Sequence, residues 1–466
     1  MTLASDVAVA VVGAGYAGCA AAVTLAQAGR RVVLFEQGAT LGGRARRVTL
    51  DGLDVDNGQH ILIGAYRQTL ELIARVNDDA PDALSARLTR IPLTIAPLGA
   101  AARTTIGMRV PKLRAPLHLA AGILTARGLG WRERLQVIRA YRGLERAGYR
   151  CRPGQTVSGC LAAMPQVAMK GLWSPLCLAA LNTPIHHASG QVFANVLREA
   201  FAANARASDF LIPSVDLSAL FPDAAARYVT ARGGEVRAST TVRKIASEDS
   251  GAVLGADRGD ERFAAIVVAV GPHQLAATID RASDARGDAA PDALAAGPWR
   301  DALARTHAFE YESITTAYLA YAAPVAIPAP IARLDDLPGQ WLFDSTRALA
   351  GGALPQARAL LSVVISAGGA HDHMPHDELA AKLDAQLRRL VPEMPALVWS
   401  KVVAERRATY ACTPELPRPA AGRIAPRLFL AGDYTFGDLP ATLEAATRSG
   451  VIAARALLAE LSPPGH

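Results

Sequence analysis

DVAVAVVGAGYAGCAAAVTLAQAGRRVVLFE, residues 6–36, decides the fold. Asp6 to Val12 is a short run of β-favouring apolar side chains. GAGYAG follows and places Gly13, Gly15 and Gly18 in G-x-G-x-x-G spacing. Alanine-rich helical sequence continues to Ala28, Gly29 is a natural C-cap, and RRVVLFE is a second strand ending at Glu36. A glycine triplet alone is weak evidence. Strand, glycine turn, helix, strand and an acid about 20 residues on make it a dinucleotide-binding unit. Gly13 permits the tight turn, Gly15 lets backbone approach a pyrophosphate, and Gly18 lets the helix pack closely on the sheet. Ala14, Tyr16 and Ala17 complete the turn and first helical residues, whose free N–H groups and dipole face phosphate. Glu36, with Gln37 beside it, is expected to accept from a ribose diol and to repel a 2′-phosphate.

Downstream lies the glycine turn Gly42-Gly43-Arg44-Ala45. RRVTL, Asp51-Gly52 and LDVDNG then form two alternating segments around a hairpin dipeptide. A hairpin returns the chain to where it left, so Asn57, Gly58, Gln59 and His60 should come back beside Gly42–Arg44, against the cofactor. Polar groups suit one edge of a flat ring, and the apolar run after them suits its face. A satisfied structural histidine is the alternative for His60.

At the other end, RLFLAGDYTFGDLPATLEAATRSGVIAARAL (427–457) begins with a buried strand, Leu428 to Ala431, with Gly432-Asp433 at its C-terminal end. Pro440-Ala441-Thr442 lead into a helix whose first turn holds Leu443 and Glu444, and Ser449-Gly450 allow it to pack tightly. GGEVRASTTVRKI (233–245) is expected to hold a strand, and AAIVVAVGP (264–272) is another buried strand. No second G-x-G-x-x-G occurs, so a separate electron donor is expected instead of a built-in NAD(P)H fold.

The 466 residues exceed one ordinary core and imply two or more domains. No apolar run is long enough to span a bilayer, and the N-terminus reads as a strand instead of a signal peptide. Five scattered cysteines without C-x-x-C spacing argue for a reducing cytosol, against a disulfide framework and against zinc. HDHMPH (371–376) reads as a loop entering the helix DELAAKLDAQLRRL, so no metal is expected. The net charge is +7, yet Arg103–Arg150 alone holds eleven Lys/Arg against two Glu, around the apolar stretch LHLAAGILTA (117–126). Anionic lipid and a solvated helical face are both open readings of that segment; nucleic acid is disfavoured for want of a binding motif.

The Gly42-Gly43-Arg44 turn and the 427–457 segment resemble the flavin amine oxidase and phytoene desaturase superfamily. The resemblance implies an α/β fold: a Rossmann-like FAD-binding domain of the amine oxidase type with an inserted α+β substrate domain. It implies FAD, with Arg44 on the pyrophosphate, backbone at Val242 on the adenine, Asp433 on the ribityl chain or pyrophosphate, and the Thr442–Leu443 helix end facing the isoalloxazine. The FAD domain is expected over 1–75, 205–280 and 405–466, and the substrate domain and cap over 76–204 and 281–404. Proline/alanine-rich loops (APLGAAA, AAPDALAAGP and VAIPAPIA) surround the insertions. VDNGQHILIGAYR (55–67), SPLCLAALNTP (174–184), FLIPSVDLSALFP (210–222) and AGDYTFGDLPATLEAATRSG (431–450) together resemble the hydroxysqualene dehydroxylases of bacterial hopanoid biosynthesis. That resemblance implies loss of hydroxyl from hydroxysqualene to give squalene, with hydride from reduced FAD reaching an allylic carbon. Such chemistry needs an acid, for which His60 oriented by Asp56 is the candidate, and a dry tunnel with Trp173 and Leu178 in its wall. Residues 103–150 would dock a cytoplasmic protein on the anionic inner face of the membrane. The rival readings are a carotenoid or phytoene-type desaturase using FAD oxidatively, an amine oxidase with Cys412 near a flavin thioether position, and a non-catalytic polyprenyl-binding flavoprotein.

Overall fold

The computed structural model describes residues 7–77, 83–103, 105–202, 204, 206–248, 251–257, 259–276, 278 and 298–462. A six-stranded sheet forms its centre, in the order Glu235–Arg237, Val32–Phe35, Val9–Val12, Ile266–Val268, Leu428–Leu430, Gly422–Ala425. The first five strands are parallel and the last is antiparallel to its neighbour. Val9–Val12 and Val32–Phe35 are buried at every position, as parallel strands covered on both faces must be. Sheet strands come from three separated stretches of chain, and Ile266–Val268 lies between the N-terminal strand Val9–Val12 and the C-terminal strand Leu428–Leu430.

Helix Tyr16–Gln27 buries ten of its twelve residues, because it lies between the sheet and the last helix, Leu443–Leu461. Gly450 makes that crossing possible: a Cβ there would stand 2.1 Å from the carbonyl oxygen of Ala17. A three-stranded meander, Lys244–Glu248, Gly251–Ala256 and Gly259–Phe263, covers the other face through Ile245, Leu254 and Phe263.

A second sheet is antiparallel, ordered Ile331–Arg333, Trp341–Asp344, Ala359–Ser366, Tyr311–Tyr321, Leu397–Tyr410, and helix His376–Leu390 packs on it. HDHMPH forms the 3₁₀ turn Ala370–His373 that leads into this helix. Leu397–Tyr410 is one unbroken strand of 14 residues across the expected boundary at 405, so the chain enters the FAD domain without a linker there. APLGAAA is no peripheral loop either: Leu98 and Ala101 are buried against the helix His376–Leu390 side of the sheet. AAPDALAAGP lies, but for its last residue, outside the described residues. Helices Leu117–Leu124, Trp131–Arg146, Ser174–Leu181 and Gly190–Phe201 form the cap, with Trp173, Tyr141 and Phe201 in its core.

One cysteine expectation is overturned. Cys151 and Cys160 are joined in a disulfide across a Cα–Cα distance of 5.7 Å, because the turn into helix Val157–Cys160 folds the chain back on itself. Cys19, Cys177 and Cys412 are free and buried. Among the described residues no helix is long and apolar enough to cross a membrane.

Candidate active site

The C-terminal ends of the parallel strands converge on one opening: Gly13 follows Val12, Glu36 follows Phe35, Gly271 lies just past Val268, and Gly432 just past Leu430. This is where α/β sheets bind ligands. A cavity of about 1050 Å³ begins there and runs between the two sheets and under the cap.

The glycine turn is built as a cradle. The Glu36 carboxylate accepts from Ala14 N–H at 2.8 Å and Gly38 N–H at 2.9 Å, which fixes the turn and keeps the acid at the cavity wall. Gly15 has ordinary extended backbone (φ −72°, ψ 177°), so its missing side chain answers to the cavity and not to the turn. A Cβ on Gly15 would meet nothing nearer than Gly43 Cα at 3.9 Å. Gly18 is glycine for packing: a Cβ there would fall 1.8 Å from the Gly13 carbonyl oxygen.

Gly13, Gly15, Tyr16, Ala17, Glu36, Gln37, Gly43, Arg44, Ala45, Asn57, Gly58, Gln59, His60, Val242, Gly432, Asp433, Thr442 and Leu443 all line the cavity. Ala14 and Gly18 do not; one spends its N–H on Glu36 and the other is covered by the turn. Tyr16 contributes no phenol, since its hydroxyl donates to Leu217 O at 3.0 Å and its ring packs on Phe221.

Asp51 (φ 48°) and Gly52 (φ 83°) make the two-residue turn between strands Arg47–Leu50 and Leu53–Asp56. Asn57 therefore returns to the glycine turn, donating backbone N–H to Arg46 O at 2.8 Å, with its side chain 3.4 Å from Arg44 O. Arg44 forms a 2.6 Å ion pair with buried Asp433 and also donates to Ala408 O. One cation and one acid from opposite ends of the chain thus meet in the cavity wall. An always-charged fork and a glycine cradle on a helix N-terminus fit a pyrophosphate, and Glu36 fits a ribose diol. The residues present fit FAD.

Asp56 does not orient His60. The alternation of strand Leu53–Asp56 turns its carboxylate toward Leu217, whose N–H it accepts at 2.8 Å, and away from the cavity. Burial first, then Asp216, pushes the Asp56 carboxyl up to about 7. The unfolded chain ionises it near 3.8, so folding loses stability as pH rises from there to about 7, and the deficit then stays constant. Asp56→Asn is expected to melt higher than wild type at pH 8, by roughly 2 kcal/mol, an advantage that disappears toward pH 4. Thermal melts at the two pH values check this.

His60 instead sits with Nδ1 2.6 Å from Gly58 O. A carbonyl only accepts, so Nδ1 carries hydrogen and Nε2 is the exchanging atom, with no partner among the described residues. Burial, and secondarily the Arg44 charge, pull His60 below the ordinary histidine range.

Beyond the polar collar the cavity is apolar. Helix Ser174–Leu181 offers Leu176, Ala179 and Ala180, a different face from the expected Leu178. Trp173 is not in the wall; it is 1% exposed and stacks on Tyr141 in the cap core. Phe193, Phe210, Trp341 and Phe343 supply the aromatic surface. Cys412 is buried and does not line the cavity, its thiol pushed up to about 11 by burial.

Three contributors, Glu405, His273 and Asn182, escaped the sequence reading, which puts Glu444 in its helical turn without its cross-chain role. Glu405 accepts from Asn57 Nδ2 at 3.2 Å, and His273 lines the cavity just past Ile266–Val268. The rule that strand C-terminal ends carry ligand contacts would have flagged His273. Asn182 caps helix Ser174–Leu181 in left-handed backbone (φ 49°), bonds Ser313 O, Thr409 Oγ1 and Ala367 N–H, and so staples the cap to the second sheet. Glu444 accepts from Gln68 N–H, Thr69 N–H, Thr69 hydroxyl and Arg448. It caps the N-terminus of helix Arg67–Val76 from the far end of the chain.

Cradle, collar and cavity define a flavin-dependent oxidoreductase with FAD as cofactor. The chain belongs to the flavin containing amine oxidoreductase family, whose pattern it matches over residues 16–458. It is 28% identical over 477 aligned positions to a hydroxysqualene dehydroxylase of Rhodopseudomonas palustris, covering 96% of this chain and 98% of that one. A hydroxysqualene dehydroxylase of Sinorhizobium fredii is 28% identical, covering 97% and 98%. Cyclohexylamine oxidase from Brevibacterium oxydans superposes with a TM-score of 0.67 at 16% identity, covering 98% and 99%, and so shares the fold.

Proposed function

We propose that this protein removes the hydroxyl of hydroxysqualene reductively to give squalene, as a step of hopanoid synthesis at the cytoplasmic face of the membrane. The observation that carries this reading is the continuity of the FAD cradle with a long wall of aliphatic and aromatic side chains. Full-length similarity to two hydroxysqualene dehydroxylases supports the choice of substrate.

The allylic C–O bond breaks with both electrons on oxygen, which leaves as water once protonated. Reduced FAD, when bound, supplies the hydride whose two electrons make the new C–H bond. An external donor must return two electrons and a proton. Leu176, Phe193, Phe210 and Trp341 exclude water, and aromatic faces steady an allylic cation. Arg44 and Asp433 fix the polar end, and His60 transfers the proton through Nε2 while the Gly58 carbonyl holds Nδ1–H.

A lowered histidine pKa gives the protonated form more acid strength and a smaller population. kcat/KM is therefore expected to rise as pH falls, with its limb below 6.5. His60→Gln should flatten that limb and lower kcat about 10²–10⁴-fold. A pH–rate series on both proteins measures it.

The deciding experiment is anaerobic: photoreduce the bound flavin, add hydroxysqualene, and follow flavin reoxidation with squalene by mass spectrometry. Stoichiometric squalene supports the reading. Reoxidation only by oxygen, or oxidised protein that desaturates phytoene or consumes an amine, sinks it.

A further inference from the structure

Five of the eight large hydrophobic side chains exposed among the described residues fall between 113 and 135: Leu113, Leu117, Leu124, Trp131 and Leu135. Leu117 and Trp131 are 62% and 66% exposed. Helix Leu117–Leu124 turns Leu117, Ala120, Ala121 and Leu124 outward at i, i+3, i+4, i+7 spacing, while His118, Leu119 and Ile123 face inward. Arg134 ties the next helix to its end, donating to Leu124 O at 2.8 Å and Ala126 O at 2.6 Å. The apolar residues therefore share one corner of the cap.

Cations surround that corner. Lys112, Arg114, Arg127, Arg132, Arg139 and Arg142 are exposed, and none has a carboxylate ion-pair partner among the described residues. The acid nearest them in sequence, Glu133, is committed to the Gly130 N–H at 2.7 Å. Arg132 lies over the Trp131 ring at 5.5 Å. Protruding leucines and a tryptophan amid unpaired cations are complementary to a bilayer carrying anionic headgroups.

The inward faces of the same helices pack on a residue of the cavity wall, Phe201. The His118 ring is 6.0 Å from that of Phe201 and the Tyr141 ring 6.4 Å, and Phe201 lines the cavity. We infer that helices Leu117–Leu124 and Trp131–Arg146 insert their shared corner into an anionic bilayer, and that apolar substrate passes from lipid to the cavity at its Phe201 end. The docking half stands alone; the passage half rests on the functional reading above.

The test uses the FAD-loaded full chain floated with vesicles of phosphatidylglycerol and phosphatidylcholine, or phosphatidylcholine alone. Wild type should float with the anionic vesicles and detach as salt rises toward ~0.5 M. The combined Leu117→Ser, Leu124→Ser, Trp131→Ser variant should partition roughly 100-fold less. Arg132→Gln, Arg139→Gln, Arg142→Gln together should erase the preference for anionic lipid. Leu337→Ser, at another exposed leucine, should change nothing. Unaltered flavin absorbance and melting show that the variants are folded. Wild type that floats with neither vesicle, or that sediments as a dimer which the serine variant dissociates, overturns the docking face. For the passage half, the serine variant should lose turnover of hydroxysqualene held in vesicles and keep it in detergent micelles; equal losses overturn it. Wild type that floats but turns over substrate in neither form refutes the functional reading and leaves docking intact.

Discussion

Gly18→Ala will yield no yellow protein. The added methyl would lie 1.8 Å from the Gly13 carbonyl oxygen and 3.3 Å from Ala269 Cβ. Neither is the free end of a flexible side chain, so relief requires opening the glycine turn or lifting helix Tyr16–Gln27 off the sheet. That helix is buried on nearly every side, and lifting it also unseats helix Leu443–Leu461. The expected cost is about 3–5 kcal/mol, a large part of a normal stability margin. Gly15→Ala is the informative contrast. Its backbone suits any residue and its methyl meets nothing within 3.9 Å, so the chain should fold with nearly unchanged melting. The methyl projects where backbone must approach phosphate, and FAD affinity should fall by ~10²-fold or more. Flavin absorbance per protein, read beside apoprotein melting, separates the two. A yellow, stable Gly18→Ala protein would contradict the packing account.

Arg44→Ala should be nearly as damaging by another route. Asp433 is 5% exposed and Arg44 is its ion-pair partner at 2.6 Å. Deleting the guanidinium leaves a buried charge uncompensated, at about 3–5 kcal/mol. Asp433→Asn in the same chain removes that charge and should restore most of the apoprotein's stability. It should not restore flavin, because pyrophosphate still lacks its fork. A double-mutant cycle on melting, beside equilibrium FAD titration, gives the two readouts. Recovery of both would reduce Arg44 to a structural counter-ion.

These cases mark where sequence reading works. The glycine unit, the Asp51-Gly52 hairpin and the strand–Gly432–Asp433–helix segment follow from spacings within about 30 residues, where propensity and turn chemistry act directly. The return of Asn57 beside Arg44 was legible for that reason. What failed depends on orientation or long range. Asp56 lies four residues from His60, yet strand alternation sends it to Leu217. Leu178 gave way to Leu176 and Ala180 because a helical face is fixed by its tertiary neighbours, as was the burial of Trp173 beside Tyr141. Glu444 caps a helix 375 residues earlier in the chain, a partner no local pattern announces.

The cradle at Gly13–Glu36 emerges during synthesis long before Asp433, Thr442 and Leu443, which also wall it, and its helix is covered only when Gly450 docks on Ala17. Cofactor capture is thus a late event for a nascent chain, completed after most of the polypeptide has left the ribosome. A chain that stops before Asp433 leaves helix Tyr16–Gln27 without its cover and the cradle without these walls.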